Sequence, residues 1–238
     1  MKKIKTMFNF ANQEDDKPAR LDLYGFVGAS YWGDEEQSVT TKAVNNALAN
    51  VEGETLDVHI NSYGGDAFEG IGIYNALKQS NKTINVYVDA VAASAASIIA
   101  MAGDTIFMPK NSQLMVHHAL TNIYGNADDL QKGINMLKTM DNSLAQTYMT
   151  RFTGSEDELE ELLAAETFLS ADEAITMGLA DEIVDYEVNE PEKPKNDIKT
   201  RLVAKYSGKA QAKATDVQES KPEESHKKSF AEKLANLA

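Results

Sequence analysis

The stretch that most constrains this chain runs from Val88 to Gly103 and reads VDAVAASAASIIAMAG. A short strand, Ile84 to Val88, leads into a run of Ala, Ser and Gly and then into an apolar helix. Most cores place Leu or Val where this chain places its smallest residues, so backbones must approach closely here. A strand-to-helix turn leaves backbone N–H groups free and puts the positive end of the helix beside the first helical residues. A serine held there can keep its hydroxyl open to a partner, and Ser94 is read as a nucleophile. The plainer alternative is a tightly packed Ala-rich helix whose serines bond back to the preceding turn.

Composition narrows the chemistry. The 238 residues include no Cys, which removes disulfides, thiolate catalysis and cysteine metal sites. A hydrophobic content of 42% is enough for a proper core. The first residues, MKKIKTMFNFANQEDDKPAR, begin basic but lack the apolar run of a signal peptide, and no window is long and apolar enough to span a bilayer. The expectation is a cytoplasmic protein with no membrane contact. A net charge of −14 argues against general nucleic-acid binding. The charge is uneven, because residues 187–238 hold 11 Lys and Arg against 9 Asp and Glu while the rest is strongly acidic.

Three regions follow: a loose polar segment over 1–20, a folded domain over 21–186, and a charged linker and largely disordered tail over 187–238. The domain opens with a strand at Leu21–Val27, a loop carrying the sole Trp, Trp32, and a helix over Ser38–Asn50. Thr55–Asn61 alternates as a strand, SYGGD follows, and a helix runs from Ala67 to Gln79. With Ile84–Val88 and the Ser94 helix this makes β-α-β-α-β-α, hence an α/β fold with a parallel sheet and right-handed crossovers. Asp104–Met108 and Gln113–Val116 are short strands around a PKNS turn. Asn126–Phe152 reads as a long amphipathic helix with Leu130, Ile134, Leu137, Leu144 and Tyr148 on its apolar stripe. Ser155 with Glu158 marks a capping box, Ser170 starts a further short helix, and Ala180–Val184 is a last strand. Beyond Asp185 the tail carries a possible short amphipathic helix, SFAEKLANLA, readable as a frayed end or a docking segment.

A serine hydroxyl is a poor nucleophile at neutral pH and needs a base within hydrogen-bond reach. Of the four histidines, His59 lies within a strand and His226 in the tail. His117 and His118 end the strand that would lie beside the Ser94 helix, and alternation across a strand lets one of them face the serine. An orienting carboxylate is also needed, and the acidic body offers many. The loop Asn61-Ser62-Tyr63-Gly64-Gly65 suits oxyanion donors, because paired glycines allow close backbone approach. A phosphate cradle is the rival reading of GGDAFEGIG, but its spacing fits neither phosphate-binding glycine motif. No H-E-x-x-H or wider His cluster is present, so neither metal nor cofactor is expected.

Together these segments resemble the proteolytic subunit family of the Clp protease. INSYGGDAFEGIGIYNAL (60–77) is similar to the family's strand-Asn-Ser-Pro-Gly-Gly-helix segment, with Tyr63 in place of Pro. VAASAASIIAMAG (91–103) resembles the nucleophile helix and registers the nucleophile on Ser94 rather than Ser97. MPKNSQLMVHH (108–118) matches the Pro-Asn-Ser to Met-Ile-His segment and places the base on His117 rather than His118. FLSADEAITMGLADEIV (168–184) is similar to the closing segment. Four motifs occur in the same order over about residues 20–186.

The resemblance implies a crotonase-like β/α spiral, serine endopeptidase chemistry, protein or peptide substrates and stacked heptameric rings enclosing a chamber. It implies that the helix over Asn126–Phe152 is the protruding handle by which two rings meet, and that an unfoldase ATPase is a possible partner. It also implies oxyanion donation from the backbone N–H groups of Gly65 and Ala95. The family's catalytic Asp stands two residues before Phe-Leu-Ser; that position is Glu166 here, with Asp172 as a fallback. The short segment between Gly103 and Pro109, the charged tail and the Ala-Ala-Ser-Ala-Ala-Ser run are more similar to the type encoded by phages and prophages, which processes capsid or scaffold proteins. Two rival classes remain: a crotonase-fold acyl-CoA enzyme, and a non-catalytic ring-forming assembly protein.

Overall fold

The structure is a computed structural model and describes residues 6–14, 17–29 and 38–185. The loop with Trp32, the charged tail and the helix suggested at its end lie outside the described residues. Among the described residues, eight strands and six helices form a mixed α/β arrangement. The sheet order is β1 (Met7–Ala11), β2 (Ala19–Val27), β3 (Thr55–Gly65), β4 (Thr83–Ala93), β5 (Thr105–Pro109) and β8 (Glu182–Val184). Strands β2 to β5 and β8 are parallel, as the repeated strand-helix order requires, whereas β1 joins β2 antiparallel.

β1 corrects the reading of residues 1–20 as loose. Met7–Ala11 forms a full register with Arg20–Tyr24, and its Phe8 and Phe10 pack against the core from the sheet edge. The two Phe flank Asn9 in a strand of only five residues, too short a run to stand out beside the charged segments around it.

The feature that positions the candidate site is a fork in β4. Its first half, Asn85–Tyr87, pairs with β5. Its second half, Val91–Ala93, pairs with β6 (Gln113–Val116), which in turn holds β7 (Thr167–Ser170) antiparallel. Between the halves the register against β3 jumps from Ile60–Val88 to Ser62–Ala92. Extra residues on one strand bend it, so β4 leaves one neighbour and takes another. This pairing carries β4 on to Ala93, past the Val88 end expected from its apolar run.

Helices α1 (Thr41–Leu48), α2 (Ala67–Lys78) and α3 (Ala95–Ala100) cover the sheet. Thr40 and Asp66 accept the first free N–H groups of α1 and α2. Leu56, Val58 and Ile60 of β3, Val86 and Val88 of β4, and Ile73 of α2 are fully buried in one core with Ile98 and Ile99 of α3. The long helix α4 (Ala127–Met149) starts at a capping box between Asn126 and Asp129. Twenty-three residues at 1.5 Å each span about 35 Å. Its apolar stripe is covered only in part: Leu144 and Tyr148 are buried, whereas Leu130 and Ile134 are 46% exposed. Capping boxes also open α5 (Glu156–Ala164), at Ser155 as its spacing with Glu158 predicts, and α6 (Ala171–Thr176), at the helix start read at Ser170.

Ile60 is wholly enclosed at the centre of the sheet. Ile60→Ala leaves a cavity there and is expected to lower unfolding free energy by about 2–5 kcal/mol, read as a lower denaturant midpoint at unchanged slope.

Candidate active site

Ser94 stands between the end of β4 and the start of α3. Its backbone has φ 57° and ψ −127°, a conformation that L-residues adopt rarely and at a cost of order 1–3 kcal/mol. Ser94 occupies the N-cap position of α3, yet its side chain caps nothing. The hydroxyl lies instead 2.7 Å from Nε2 of His117. That is hydrogen-bond distance, with Nε2 accepting when the imidazole proton sits on Nδ1.

The fork in β4 explains how residues 23 apart meet. Ala93 pairs with Met115 of β6, and the Ser94 N–H donates to the Met115 carbonyl at 3.0 Å. His117 follows β6 directly and so stands beside the serine. His118 points elsewhere: its Nε2 is 3.2 Å from Glu160 of α5 and its Nδ1 is 3.6 Å from Asp141 of α4. The two residues lie just past the end of β6, not within the strand as expected, and of the two rings His117 is the one that reaches Ser94.

Burial pushes the His117 imidazole below its ordinary value of 6.5. The Glu166 carboxylate opposes that shift through space, as does Asp141, while His118 adds to it. Glu166 is exposed, with φ 50°, at the turn between α5 and β7. No hydrogen bond joins it to His117 in this structure. Asp172 lies on the exposed first turn of α6 and is not among the charges that act on His117. Of the two carboxylates read from the sequence, Glu166 is therefore the one near the imidazole.

Gly65, Ser94, Ala95, His117 and His118 line one cleft of about 370 Å³. Ile98, Met136, Leu137, Met140, Leu144 and Tyr148 form its apolar wall. Ala95 is the first residue of α3, so its N–H has no acceptor within the helix. Gly64, at φ 89°, passes directly behind the serine: a Cβ added there would lie 2.6 Å from the Ala93 carbonyl oxygen and 2.7 Å from Ser94 Cβ. The Gly64-Gly65 pair thus serves close backbone approach, as the motif suggests. Gly64 N–H is held by the buried Ser62 hydroxyl, which itself donates to the Gly25 carbonyl.

The two small-residue serines turn different ways. Ser97 bonds back to the Ser94 carbonyl, and Ser94 turns outward to His117. The partner of Ser97 was not legible: Tyr148 reads as one more apolar-stripe residue, yet its hydroxyl lies 2.7 Å from Ser97 Oγ. A tyrosine in an otherwise aliphatic stripe, facing a helix with buried serines, is the available signal.

A family model described as Clp protease matches residues 34–187. The chain belongs to the Clp protease family. A relative from Deinococcus radiodurans, named ATP-dependent Clp protease proteolytic subunit, is 25% identical over 163 residues, covering 67% of this chain and 79% of the relative. Clp proteases are serine peptidases, and the matched region contains the Ser94 elbow, the His117 strand end and Glu166. Among the described residues, no group of three or more His, Asp or Glu is placed to hold a metal ion, and no helix is long and apolar enough to cross a membrane.

A side chain at Gly64 must displace the elbow. Gly64→Ala is expected to slow covalent labelling of Ser94 by a fluorophosphonate by about 10²-fold or more, while circular dichroism still shows the folded chain.

Proposed function

We propose that this protein is a serine endopeptidase acting on protein or peptide chains, with Ser94 as nucleophile and His117 as the base that takes its proton and returns it to the leaving amine. The 2.7 Å contact between Ser94 Oγ and His117 Nε2, at a strained strand-to-helix elbow, carries this reading. In the first step the Ser94 oxygen bonds to the substrate carbonyl carbon and its proton passes to Nε2. Collapse of the tetrahedral intermediate breaks the C–N bond, and the Nε2 proton goes to the departing nitrogen. Water then hydrolyses the acyl-enzyme by the same exchange in reverse. Backbone N–H groups of Gly65 and Ala95 stabilise the oxyanion, the second from a helix start whose free N–H groups favour negative charge.

Glu166 is assigned the orienting role, because its carboxylate raises the proton affinity of His117. The longer Glu side chain closes on Nδ1 when substrate is bound, since catalytic hydrogen bonds commonly tighten only in the complex. The apolar wall of Ile98, Met140 and Leu144 suits substrates with an apolar side chain before the scissile bond. A crotonase-fold acyl-CoA enzyme would use similar oxyanion glycines but has no need for the Ser–His contact.

The assembly part of the reading is a homo-oligomer of heptameric rings, stacked through the half-exposed end of α4 as a handle. Leu130, Ile134 and Met136 are each 46% exposed there, which supports a contact between copies. The name of the Deinococcus relative includes ATP dependence, which supports a partner unfoldase. The finer assignment, a phage- or prophage-encoded protease processing capsid or scaffold proteins, rests on the short Gly103–Pro109 segment, the small-residue run and the charged 187–238 tail.

Intact mass after fluorophosphonate treatment tests the chemistry. One adduct on the wild type and none on Ser94→Ala is expected, with peptide turnover by the variant lower by several orders of magnitude. An assembled, folded wild type that takes no adduct overturns the peptidase reading and favours a ring-forming assembly protein.

The base must be neutral to accept a proton, so kcat/KM rises with pH through the His117 pKa in the free enzyme. Burial lowers that pKa, which places the acid limb below 6.5. Glu166→Gln removes a charge that raises it, and the limb is expected to move further down as kcat falls.

A further inference from the structure

We infer that Ser97 and Tyr148 are positioning residues for the reaction: they pin the peptide group between Ser94 and Ala95, whose N–H faces the oxyanion. The inference rests on the peptidase reading of Ser94 and adds two residues to it.

The hydrogen-bond directions follow from proton counting. Ser97 Oγ donates to the Ser94 carbonyl at 2.7 Å, since a carbonyl can only accept. Its single proton is then committed, so the Tyr148 hydroxyl must donate to Ser97 Oγ across their 2.7 Å contact. Both side chains are out of water, Ser97 at 0% and Tyr148 at 1% exposure. Neither link is open to bulk water. Burial also raises the Tyr148 pKa, which keeps its phenol protonated and donating at any working pH.

The acceptor of this chain lies on the peptide group that matters. A trans peptide is planar, with C=O and N–H pointing in opposite directions. Fixing the Ser94 carbonyl inward, toward Ser97, fixes the Ala95 N–H outward, and Ala95 lines the cleft beside Ser94 and His117. The same carbonyl also accepts the backbone N–H of Ser97 at 2.9 Å and of Ile98 at 3.3 Å. These two come from the backbone of a helix of only six residues. The hydroxyl bond is the shortest of the three, and although Ser97 belongs to the same helix, its Oγ is itself held by Tyr148 of α4, an element outside that helix. It opposes relaxation of a serine at φ 57° toward an ordinary helical conformation. A donor on a carbonyl further polarises its peptide unit, which strengthens the N–H as an oxyanion donor.

The test uses the full-length protein in its assembled form, with Ser97→Ala, Tyr148→Phe and the double variant. The readouts are melting temperature, fluorophosphonate labelling rate, and kcat and KM on a fluorogenic peptide amide with an apolar residue before the scissile bond. Losing an oxyanion donor outright costs about 10²–10³ in kcat. Loosening one is expected to cost about 10–100-fold at unchanged KM, in each single variant and in the double. Ser97→Ala strands the Tyr148 hydroxyl in the core and lowers the melting temperature, and the double variant regains it. Recovery of both melting temperature and kcat in the double variant shows that the hydroxyls serve packing alone and overturns the inference. So do single variants that label and turn over like the wild type. A wild type that never labels removes the peptidase reading, and this inference with it.

Discussion

The strained backbone of Ser94 is the constraint on which the site depends. A serine at φ 57° and ψ −127° persists only where its surroundings leave no alternative. Here the N–H is tied to Met115 on the neighbouring strand and the carbonyl to Ser97 within α3. Gly64 presses from behind with no side chain to interfere. Each tether comes from a different part of the chain, so the elbow is a tertiary property, although the residues that form it are contiguous. The result is a hydroxyl that points away from its own helix and toward an imidazole.

The fork in β4 makes that geometry possible. A regular parallel sheet would keep β4 beside β5 to its end, and His117 would have no place next to Ser94. The register jump between Val88 and Ala92 bends the strand out of that pairing. β6 fills the new edge and delivers His117, while β7, paired to β6, brings Glu166 to the same side. One irregularity therefore assembles three elements of the site. The cost is a pairing of small residues, Ala92 and Ala93, whose limited apolar area contributes little by itself. The surrounding Ile and Val residues of β3, β4 and α3 supply the burial that holds the fork in place.

Much of this was legible along the chain because it depends on local chemistry. Alternating strands, Ser and Asx caps, the Gly-Gly turn and the small-residue serine segment each have short-range physical causes, and they appear where those causes place them. The choice of His117 over His118 was open from spacing alone, since alternation shows that one ring faces the serine without showing which. The register of β6 on β4 decides it. β1 was missed because an edge strand of five residues needs only two half-buried aromatics, and its pairing partner is not local. Tyr148 was read correctly as inward-facing, but its hydroxyl finds a polar partner 51 residues away that no pattern on α4 announces.

The amino-acid sequence by itself determined the alternating strand-helix order that leads to Ser94, the helix starts at Ser155 and Ser170, the run of small residues that forces close packing, and the residue types able to perform acyl transfer. These follow from propensity, periodicity and side-chain chemistry, which act over a few residues. Only the tertiary structure decided which histidine meets Ser94, which carboxylate lies near that histidine, and which side chains hydrogen-bond around the peptide group that follows Ser94. Those outcomes depend on strand register and helix docking, where a shift of one residue turns every side chain to the opposite face. Contacts between residues 23 to 51 apart are therefore settled by the folded core rather than by their neighbours in sequence.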